Sequence, residues 1–308
     1  MAGIYVFSED SALASQLLTP ALELKQSLAQ PVVALTLNEA DAKQLASLGA
    51  DKVVVLESSG KWVEGFAEAV FAQISIAGAS VLLVGATLRG KHLAAFVAAK
   101  LGAGLTTDAK ALRVEDGKLV TTRVLYAGLA VCEELLALPA VATIRPRTFL
   151  PPVADGNVGT IETAAAEIDT RVTVEEVTST SSEGIDISAA NMLVAVGRGF
   201  RKKDDLKLAE DLGTVLKAEL ACTRGVAEDD HWLPIERYIG ISGQTVKPEL
   251  YLAVGLSGQV QHMVGCRESK LIVAINNDER APIFEAADYG IVGDLYEVLP
   301  LLTDALRK

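Results

Sequence analysis

Short, unbroken apolar runs alternate with longer helix-like stretches through the first half of this chain. Four runs have strand length and lack the polar–apolar alternation of a half-exposed strand: Ile4–Phe7, Val32–Leu37, Lys52–Leu56 and Val81–Gly85. The stretches between them are rich in Ala and Leu: Ser11–Ala29, Glu39–Leu48 and Lys61–Ala77. Strand, helix and strand in this order predict an α/β domain built on a mostly parallel sheet.

The pattern changes after residue 111. Leu112–Val114 and Lys118–Thr122 flank Glu115-Asp116-Gly117, a sequence that favours a tight hairpin turn. Val141–Ile144 follows as a further apolar run. We expect these segments to be antiparallel strands that extend the first sheet.

A stretch of turn-forming residues separates this half from a second α/β pattern. Leu150–Glu183 contains two adjacent prolines, two glycines and a run of Ser and Thr, as linkers do. Within it, Val172–Val177 is predicted to return to the first sheet as a strand. We expect one domain over residues 1–185 and a second over residues 186–308.

The second pattern also alternates strands with helices. Met192–Val196 and Glu219–Cys222 are strand-like runs, and the helix predicted between them, Asp205–Lys217, has one apolar face. Both domains are therefore expected to be doubly wound α/β folds with mostly parallel sheets.

Composition excludes several classes of protein. Of 308 residues, 50% are hydrophobic and 22% are charged, as expected for packed globular domains. The formal net charge of −12 argues against nucleic-acid binding, which depends on Lys and Arg that neutralise phosphates. No apolar run reaches ~18 residues, so membrane insertion is not expected.

The cysteines and the N-terminal residues indicate the cellular compartment in which the protein is expected. Cys132, Cys222 and Cys266 are odd in number and far apart, so neither a disulfide framework nor a zinc site is expected. The opening MAGIYVFSED does not have the basic and apolar segments of a leader peptide. We therefore expect a cytoplasmic protein.

The most specific sequence begins at Leu250. Leu250–Val254 is an apolar run, Gly255 and Gly258 bracket the turn after it, and Gln259–Val264 is helix-compatible. A strand, a glycine-rich turn and a helix start present free backbone N–H groups to an anion. Two further runs follow, and polar residues stand at their ends, so a ligand crevice is expected at one edge of a parallel sheet.

The residues around this turn resemble the C-terminal signature of the electron-transfer flavoprotein alpha subunit. The matching segments are Pro248-Glu249-Leu250-Tyr251, Ser257-Gly258, Gln261-His262, Ala274-Ile275-Asn276, Ala281-Pro282-Ile283-Phe284 and Ala287-Asp288-Tyr289-Gly290-Ile291-Val292. The resemblance is strong from about residue 190 onward and weak before it. It implies that the second domain is a Rossmann-like domain that binds one FAD per heterodimer.

Three residues early in the second domain take roles from this resemblance. Gly197-Arg198-Gly199 is similar to a turn beside the flavin nucleotide, where the Arg198 guanidinium would pair with the pyrophosphate. Thr223 and Arg224 match a hydroxyl and a cation beside the isoalloxazine. A fixed cation there favours negative charge on the ring and raises its first reduction potential.

The loop Ile239–Gly243 matches a family loop but departs from it in part. Ser242 corresponds to a hydroxyl that faces flavin N5, and Gly240 keeps the turn. Ile241 replaces the usual glutamine, so tuning by that side chain does not carry over. With Tyr238 in the preceding segment, the loop resembles the Fix-type bacterial subgroup linked to anaerobic acyl-CoA and carnitine metabolism.

The last set of residues implied by the resemblance surrounds the glycine-rich turn and the strands after it. His262 corresponds to a histidine near the flavin C2 carbonyl, where an N–H donor or imidazolium would stabilise negative charge. Asn277 stands where the family usually has lysine. The remaining implied contacts, to phosphates, nucleotide and adenosine, are Ser257, Gly258, Gln261, Asn276 and Asp294.

The resemblance also implies partners. A smaller beta subunit would bind the first domain and carry AMP or a second FAD, and electrons would pass between an acyl-CoA dehydrogenase-type or quinone-linked protein and an acceptor. Such a chain is a carrier and not an enzyme. Two alternatives remain: a flavin-dependent oxidoreductase with its own substrate, and an adenine-nucleotide-binding module. For the latter, Thr87–Lys91 does not have the spacing of a phosphate loop.

Overall fold

The computed structural model describes residues 3–58, 62–154, 156–176 and 186–307. The chain divides into two compact units, Met1–Thr178 and Ser179–Lys308. This division falls among residues 177–185, which lie outside the described residues, and the predicted boundary after residue 185 stays a prediction. No helix in the described ranges is long and apolar enough to cross a membrane.

Parallel pairing organises the first unit. Its strands and α-helices are β1 (Ile4–Phe7), α1 (Ser11–Leu28), β2 (Val32–Thr36), α2 (Glu39–Ser47), β3 (Lys52–Glu57), α3 (Ala67–Ala77), β4 (Val81–Gly85), α4 (Leu88–Leu101), β5 (Gly104–Thr106), β6 (Ala111–Glu115), β7 (Lys118–Leu125), β8 (Ala130–Leu136), β9 (Ala140–Ile144) and β10 (Thr160–Ala165). In the described residues, the main sheet has the order β10-β3-β2-β1-β4-β9-β5. Every pair in it is parallel, which confirms the predicted fold class.

The unbroken apolar runs follow from burial of the sheet on both faces. In β1, Ile4 and Val6 pack into a core with α1 and α2. Tyr5 and Phe7 point to the opposite core, which contains α3 and α4. Since neighbouring side chains of a strand point to opposite faces, a strand covered by helices on both sides must be apolar throughout.

The prediction that residues 112–144 extend the main sheet as antiparallel strands is wrong. β6, β7 and β8 form a separate three-stranded antiparallel sheet, with Asp116 and Gly117 as its two-residue hairpin turn. Side chains in β6 and β8 alternate between exposed and half-buried, whereas those of β9 are all buried. β9 therefore belongs inside the main sheet, where it pairs parallel with β4.

The strand that returns to the first sheet is not the predicted one. Val172–Glu176 form no strand, and Val177 lies outside the described residues. Instead β10 pairs parallel with β3, inside the stretch predicted as linker. Most of β10 is exposed, since it is an edge strand, so its sequence does not have the apolar run by which the inner strands were found.

The second unit is also a parallel sheet with helices on both faces. Its elements are β11 (Met192–Val196), α5 (Lys207–Leu216), β12 (Glu219–Cys222), β13 (Leu250–Val254), α6 (Val260–Cys266), β14 (Ile272–Asn276), α7 (Ile283–Ala286), β15 (Tyr289–Val292) and α8 (Leu295–Leu306). The strand order is β12-β11-β13-β14-β15, all parallel. After β11 the chain adds β12 on one side of that strand, and it then crosses back to add β13 on the other side. The direction in which strands are added therefore reverses between β11 and β13. Such a reversal opens a crevice at the carboxyl ends of the strands.

Candidate functional site

A cavity of about 820 Å³ lies at the carboxyl ends of the strands of the second unit. Arg198 follows β11, Thr223 follows β12, Ser257 follows β13, and Asn276 is the last residue of β14. The structure brings most of the predicted contact residues to this cavity: Arg198, Thr223, Arg224, Ser242, Ser257, Gly258, Gln261, His262 and Asn276 line it. Sequentially distant residues thus meet because parallel strands end at one edge.

Two turns at the reversal of strand order pack against each other too closely for side chains. A Cβ at Gly197 would lie 2.5 Å from the carbonyl oxygen of Gly255. Gly258 has φ +76°, and a Cβ there would lie 2.5 Å from the backbone of Ile283. Glycine is therefore required at both positions, because other parts of the protein backbone fill the space that a Cβ would occupy.

Two guanidinium groups stand at one side of the cavity, and each has an acidic partner. Arg198 pairs with the Asp229 carboxylate. Arg224 donates from Nε to Glu228 at 2.6 Å. Both acids lie on a π-helical turn, Gly225–Asp229, that follows β12. Because both arginines are largely exposed, an incoming anion can compete with these carboxylates.

Ser242 lies on the loop after β12, and a tyrosine of the same loop contacts its hydroxyl. Ile239 is tied to β12 by its N–H, which donates to the Cys222 carbonyl at 3.0 Å. Tyr238 is buried, and its hydroxyl lies 2.7 Å from the Ser242 hydroxyl. Gly240 does not line the cavity; it sits in the turn of this loop with φ +156°. Ile241 lines the cavity and is exposed.

His262 lies on α6 and is 7% exposed. Its Nε2 lies 2.6 Å from the Tyr251 hydroxyl, and its Nδ1 lies 3.0 Å from the Ile239 carbonyl oxygen. Burial lowers the pKa of His262 to about 4, against a smaller opposing effect of the bond to Ile239. The ring is therefore neutral at neutral pH.

The Asn276 side chain holds the turn that follows β13 by hydrogen bonds to the backbone. Its side-chain amide donates to the Leu256 carbonyl at 2.8 Å, and its Oδ1 accepts from the Asp278 N–H at 2.9 Å. The Ser257 carbonyl accepts from the Ile283 N–H at 3.0 Å. These bonds hold the glycine-rich turn in place, so Asn276 has a structural role whether or not it also contacts a nucleotide.

Asp294 is placed apart from the cavity lining. It caps α8, accepting from the Tyr296 N–H at 2.9 Å, and its carboxylate lies 3.8 Å from the Arg201 guanidinium. The predicted contact between Asp294 and adenosine stays a prediction.

Sequence reasoning did not assign roles to three residues that the structure places at this site. They are Tyr238, Tyr251 and Asp229, which contact Ser242, His262 and Arg198 respectively. Tyr238 and Tyr251 lie in segments that carry the family resemblance, but the sequence does not show which side chains these residues or Asp229 contact. Because successive side chains of a strand point to opposite faces, the sequence places Tyr251 on one face of β13, but it does not place a histidine beside it.

Comparisons with known proteins agree with this geometry. A model of the electron transfer flavoprotein FAD-binding domain matches residues 186–267, and a model of the electron transfer flavoprotein domain matches residues 10–177. Three relatives called Protein FixB, from Escherichia coli O127:H6, Escherichia coli O6:H1 and Shigella flexneri, are each 42% identical over 313 aligned positions. The alignments cover 99% of this chain and 98% of each relative. The chain therefore belongs to the electron transfer flavoprotein family, as an alpha-type member similar to FixB.

Proposed function

We propose that the crevice of the second unit holds FAD and that the chain, paired with a beta subunit, relays electrons between an acyl-CoA dehydrogenase-type or quinone-linked protein and a redox partner. One observation carries this proposal. The stretch that matches the FAD-binding domain contains the glycine-lined reversal of strand order, with Arg198 and Arg224 at the same cavity.

The residues present fit a flavin dinucleotide. The cavity, at about 820 Å³, lies within the range of ~300–1,000 Å³ typical of sites for such ligands. Gly199, Gly255 and Gly258 line it, so bare backbone faces the ligand at these positions. Hydroxyls, amides and two guanidiniums line the rest, which suits a ligand with a pyrophosphate and a polar ring edge.

Each guanidinium has a task that follows from its position. We assign Arg198 to the pyrophosphate, for which its guanidinium would exchange its present pairing with the Asp229 carboxylate. We assign Arg224 to the ring, where its fixed charge favours added electrons. Once bound, the flavin supplies reversible uptake and release of electrons, one or two at a time.

The site favours a carrier over an enzyme with its own substrate. The imidazole of His262 is buried and neutral, and the nearby thiols of Cys222 and Cys266 have pKa values raised by burial to about 12. None of these groups is poised to exchange a proton with a substrate at neutral pH. We further propose that the chain acts in the cytoplasm, in fatty acid or carnitine metabolism, that residues 1–185 bind the beta subunit, and that the beta subunit holds AMP or a second FAD.

Co-purification with the beta subunit tests the proposal. The complex should show a flavin absorption band and release FAD on denaturation, and a reduced dehydrogenase should bleach the band. A folded complex without a flavin band would reject the proposal. Steady turnover of a small substrate without a protein partner would favour an enzyme instead.

Matched variants locate the cofactor. Arg224→Gln should shift the flavin reduction potential to a more negative value, because a cation beside the ring is removed. Arg307→Gln removes the same charge from an exposed arginine at the end of α8, which pairs with Asp304, and should leave the potential unchanged. Equal potentials in both variants would place the ring elsewhere.

A further inference from the structure

The ring of Tyr238 is enclosed by the loop that follows it. The Gln244 N–H donates to the Tyr238 carbonyl at 2.7 Å, which closes the loop around the ring. A Cβ at Gly243 would lie 2.8 Å from ring Cδ1, and one at Gly240 would lie 3.0 Å from ring Cε2. The ring therefore has a fixed position, from which its hydroxyl reaches the Ser242 hydroxyl at 2.7 Å.

The burial of the two residues decides which hydroxyl donates. Ser242 is exposed and lines the cavity, so its proton can be donated to water or to a bound ligand. Tyr238 is buried, and Ser242 provides the one hydrogen bond found for its hydroxyl among the described residues. If Ser242 donated to Tyr238, the phenol proton would have no acceptor, which is unfavourable for a buried donor. The Tyr238 hydroxyl is therefore the donor, and the Ser242 oxygen accepts.

The neighbouring cation offers the phenol proton no alternative. Glu228 raises the pKa of Arg224 most strongly, and Tyr238 raises it further, which places the phenol within electrostatic reach of the guanidinium. A guanidinium only donates hydrogen bonds, so Arg224 cannot accept the phenol proton. Its charge instead attracts the phenol oxygen. Ser242 thus remains the acceptor for Tyr238.

We propose that Tyr238 is a positioning residue of the crevice: its hydroxyl donates to Ser242 and so directs the proton of Ser242 toward the bound cofactor. This inference rests on the proposed function, since it takes the crevice to hold a flavin. The Ser242 hydroxyl then donates to an acceptor of the ring, and this hydrogen bond strengthens as added electrons make the acceptor more negative. Tyr238 therefore raises the reduction potential by acting through Ser242.

Reduction potentials of the heterodimer test this role. Tyr238→Phe keeps the ring but removes the donor, so the Ser242 hydroxyl is free to turn away and the potential should become more negative. Ser242→Ala removes the hydroxyl itself and should cause a larger shift in the same direction. The double variant should match Ser242→Ala alone, because Tyr238 acts only through the serine. Tyr5→Phe, at a buried tyrosine of β1, should leave the potential unchanged.

The comparison of these variants separates positioning from packing. Ser242→Thr keeps a hydroxyl, so Tyr238→Phe should still shift the potential in that background. An unchanged potential in Tyr238→Phe would overturn the proposal. A double variant that shifts by the sum of the two single shifts would also overturn it, since Tyr238 would then act on the ring by a route that does not include Ser242.

Carbon NMR of the tyrosines reads the hydrogen bond independently of the flavin. The chain has six tyrosines, and Tyr238→Phe assigns the Cζ resonance of Tyr238 in a heterodimer labelled at that carbon. Ser242→Ala should move this resonance upfield, because a phenol that donates a hydrogen bond has its Cζ at lower field. A resonance that stays in place or moves downfield would overturn the proposal. A wild-type heterodimer without a flavin band would reject the proposed function, whereas the Cζ resonance would still show which hydroxyl donates.

Discussion

Tyr238 and Ser242 show how a residue without a predicted role supports one that has a predicted role. Their hydroxyls lie 2.7 Å apart, and Tyr238 is 5% exposed, so the tyrosine fixes the direction of the serine hydroxyl from inside the protein. The sequence identified Ser242 through its family position. The tyrosine hydroxyl that contacts it is brought there by the fold of the loop.

This contact should be measurable as an energetic coupling. Tyr238→Phe and Ser242→Ala each remove one hydroxyl of the pair, so each should lower the free energy of unfolding by about 0.5–1.5 kcal/mol. The double variant should lose less than the sum, because the shared bond is removed only once. Urea unfolding gives all three values. Additivity to within ~0.3 kcal/mol would show that the hydroxyls do not interact.

Protonation of His262 should make stability depend on pH in a defined window. Its pKa is lowered from 6.5 to about 4, so the unfolded chain binds the proton more tightly than the folded one. The neutral ring therefore stabilises the fold fully above pH 6.5, and this stability is lost as the pH falls through about 4. The loss should be on the order of 3 kcal/mol.

Unfolding free energies measured in urea at several pH values check this effect. His262→Gln should flatten the decline in this window. His92→Gln, at an exposed histidine of α4, should keep it. A decline that persists in His262→Gln would assign the effect to other groups.

At the scale of elements, the turn between β13 and α6 is held both by the Asn276 side chain and by close backbone contacts. Gly258 combines a left-handed φ of +76° with a position where a Cβ would lie 2.5 Å from Ile283. Gly258→Ala should therefore lower the free energy of unfolding by more than about 2 kcal/mol and reduce the FAD retained on purification.

Gly78 offers a matched control for this turn. It ends α3 with φ +65°, but a Cβ there would meet nothing within 4 Å. Gly78→Ala should lower the free energy of unfolding only by the strain of a left-handed alanine, about 1 kcal/mol. The complex should retain all of its FAD. Equal losses in both variants would mean that the contact with Ile283 does not matter. Urea unfolding and the flavin absorption of the purified complex are the measurements.

At the scale of the whole molecule, the three thiols report on the two units separately. Cys222 and Cys266 are 0% exposed in the second unit, and burial raises the pKa of each to about 12. Cys132 is half-buried on β8 in the first unit. Thiolates are the reactive form, so a disulfide reagent at about pH 8 should label Cys132 alone while the chain is folded.

The count of labelled thiols is the measurement. The folded protein should release one equivalent of the reagent's leaving group, and Cys132→Ser should release none. Both should gain two equivalents when urea unfolds the second unit. Labelling of Cys222 or Cys266 in the folded protein would contradict the packing of that unit's core.

The sequence by itself determined the alternation of strands and helices, because a strand buried on both faces must be apolar throughout. It also determined the glycine-rich turn, since no other residue fits where two backbones approach closely. It did not determine edge strand β10 or the separate sheet β6-β7-β8, where exposed residues weaken the apolar signal and pairing is chosen by contacts remote in sequence.

Only the tertiary structure decided which side chains meet at the crevice and which protonation state they have there. The order of the strands brings Arg198, Ser242 and Asn276 to one cavity. Burial and the contacts of His262 with Tyr251 and Ile239 make the imidazole neutral, although its motif alone suggested a charged or donating ring. Local sequence specifies backbone conformation and residue type, whereas protonation depends on the groups that folding places within a few ångströms.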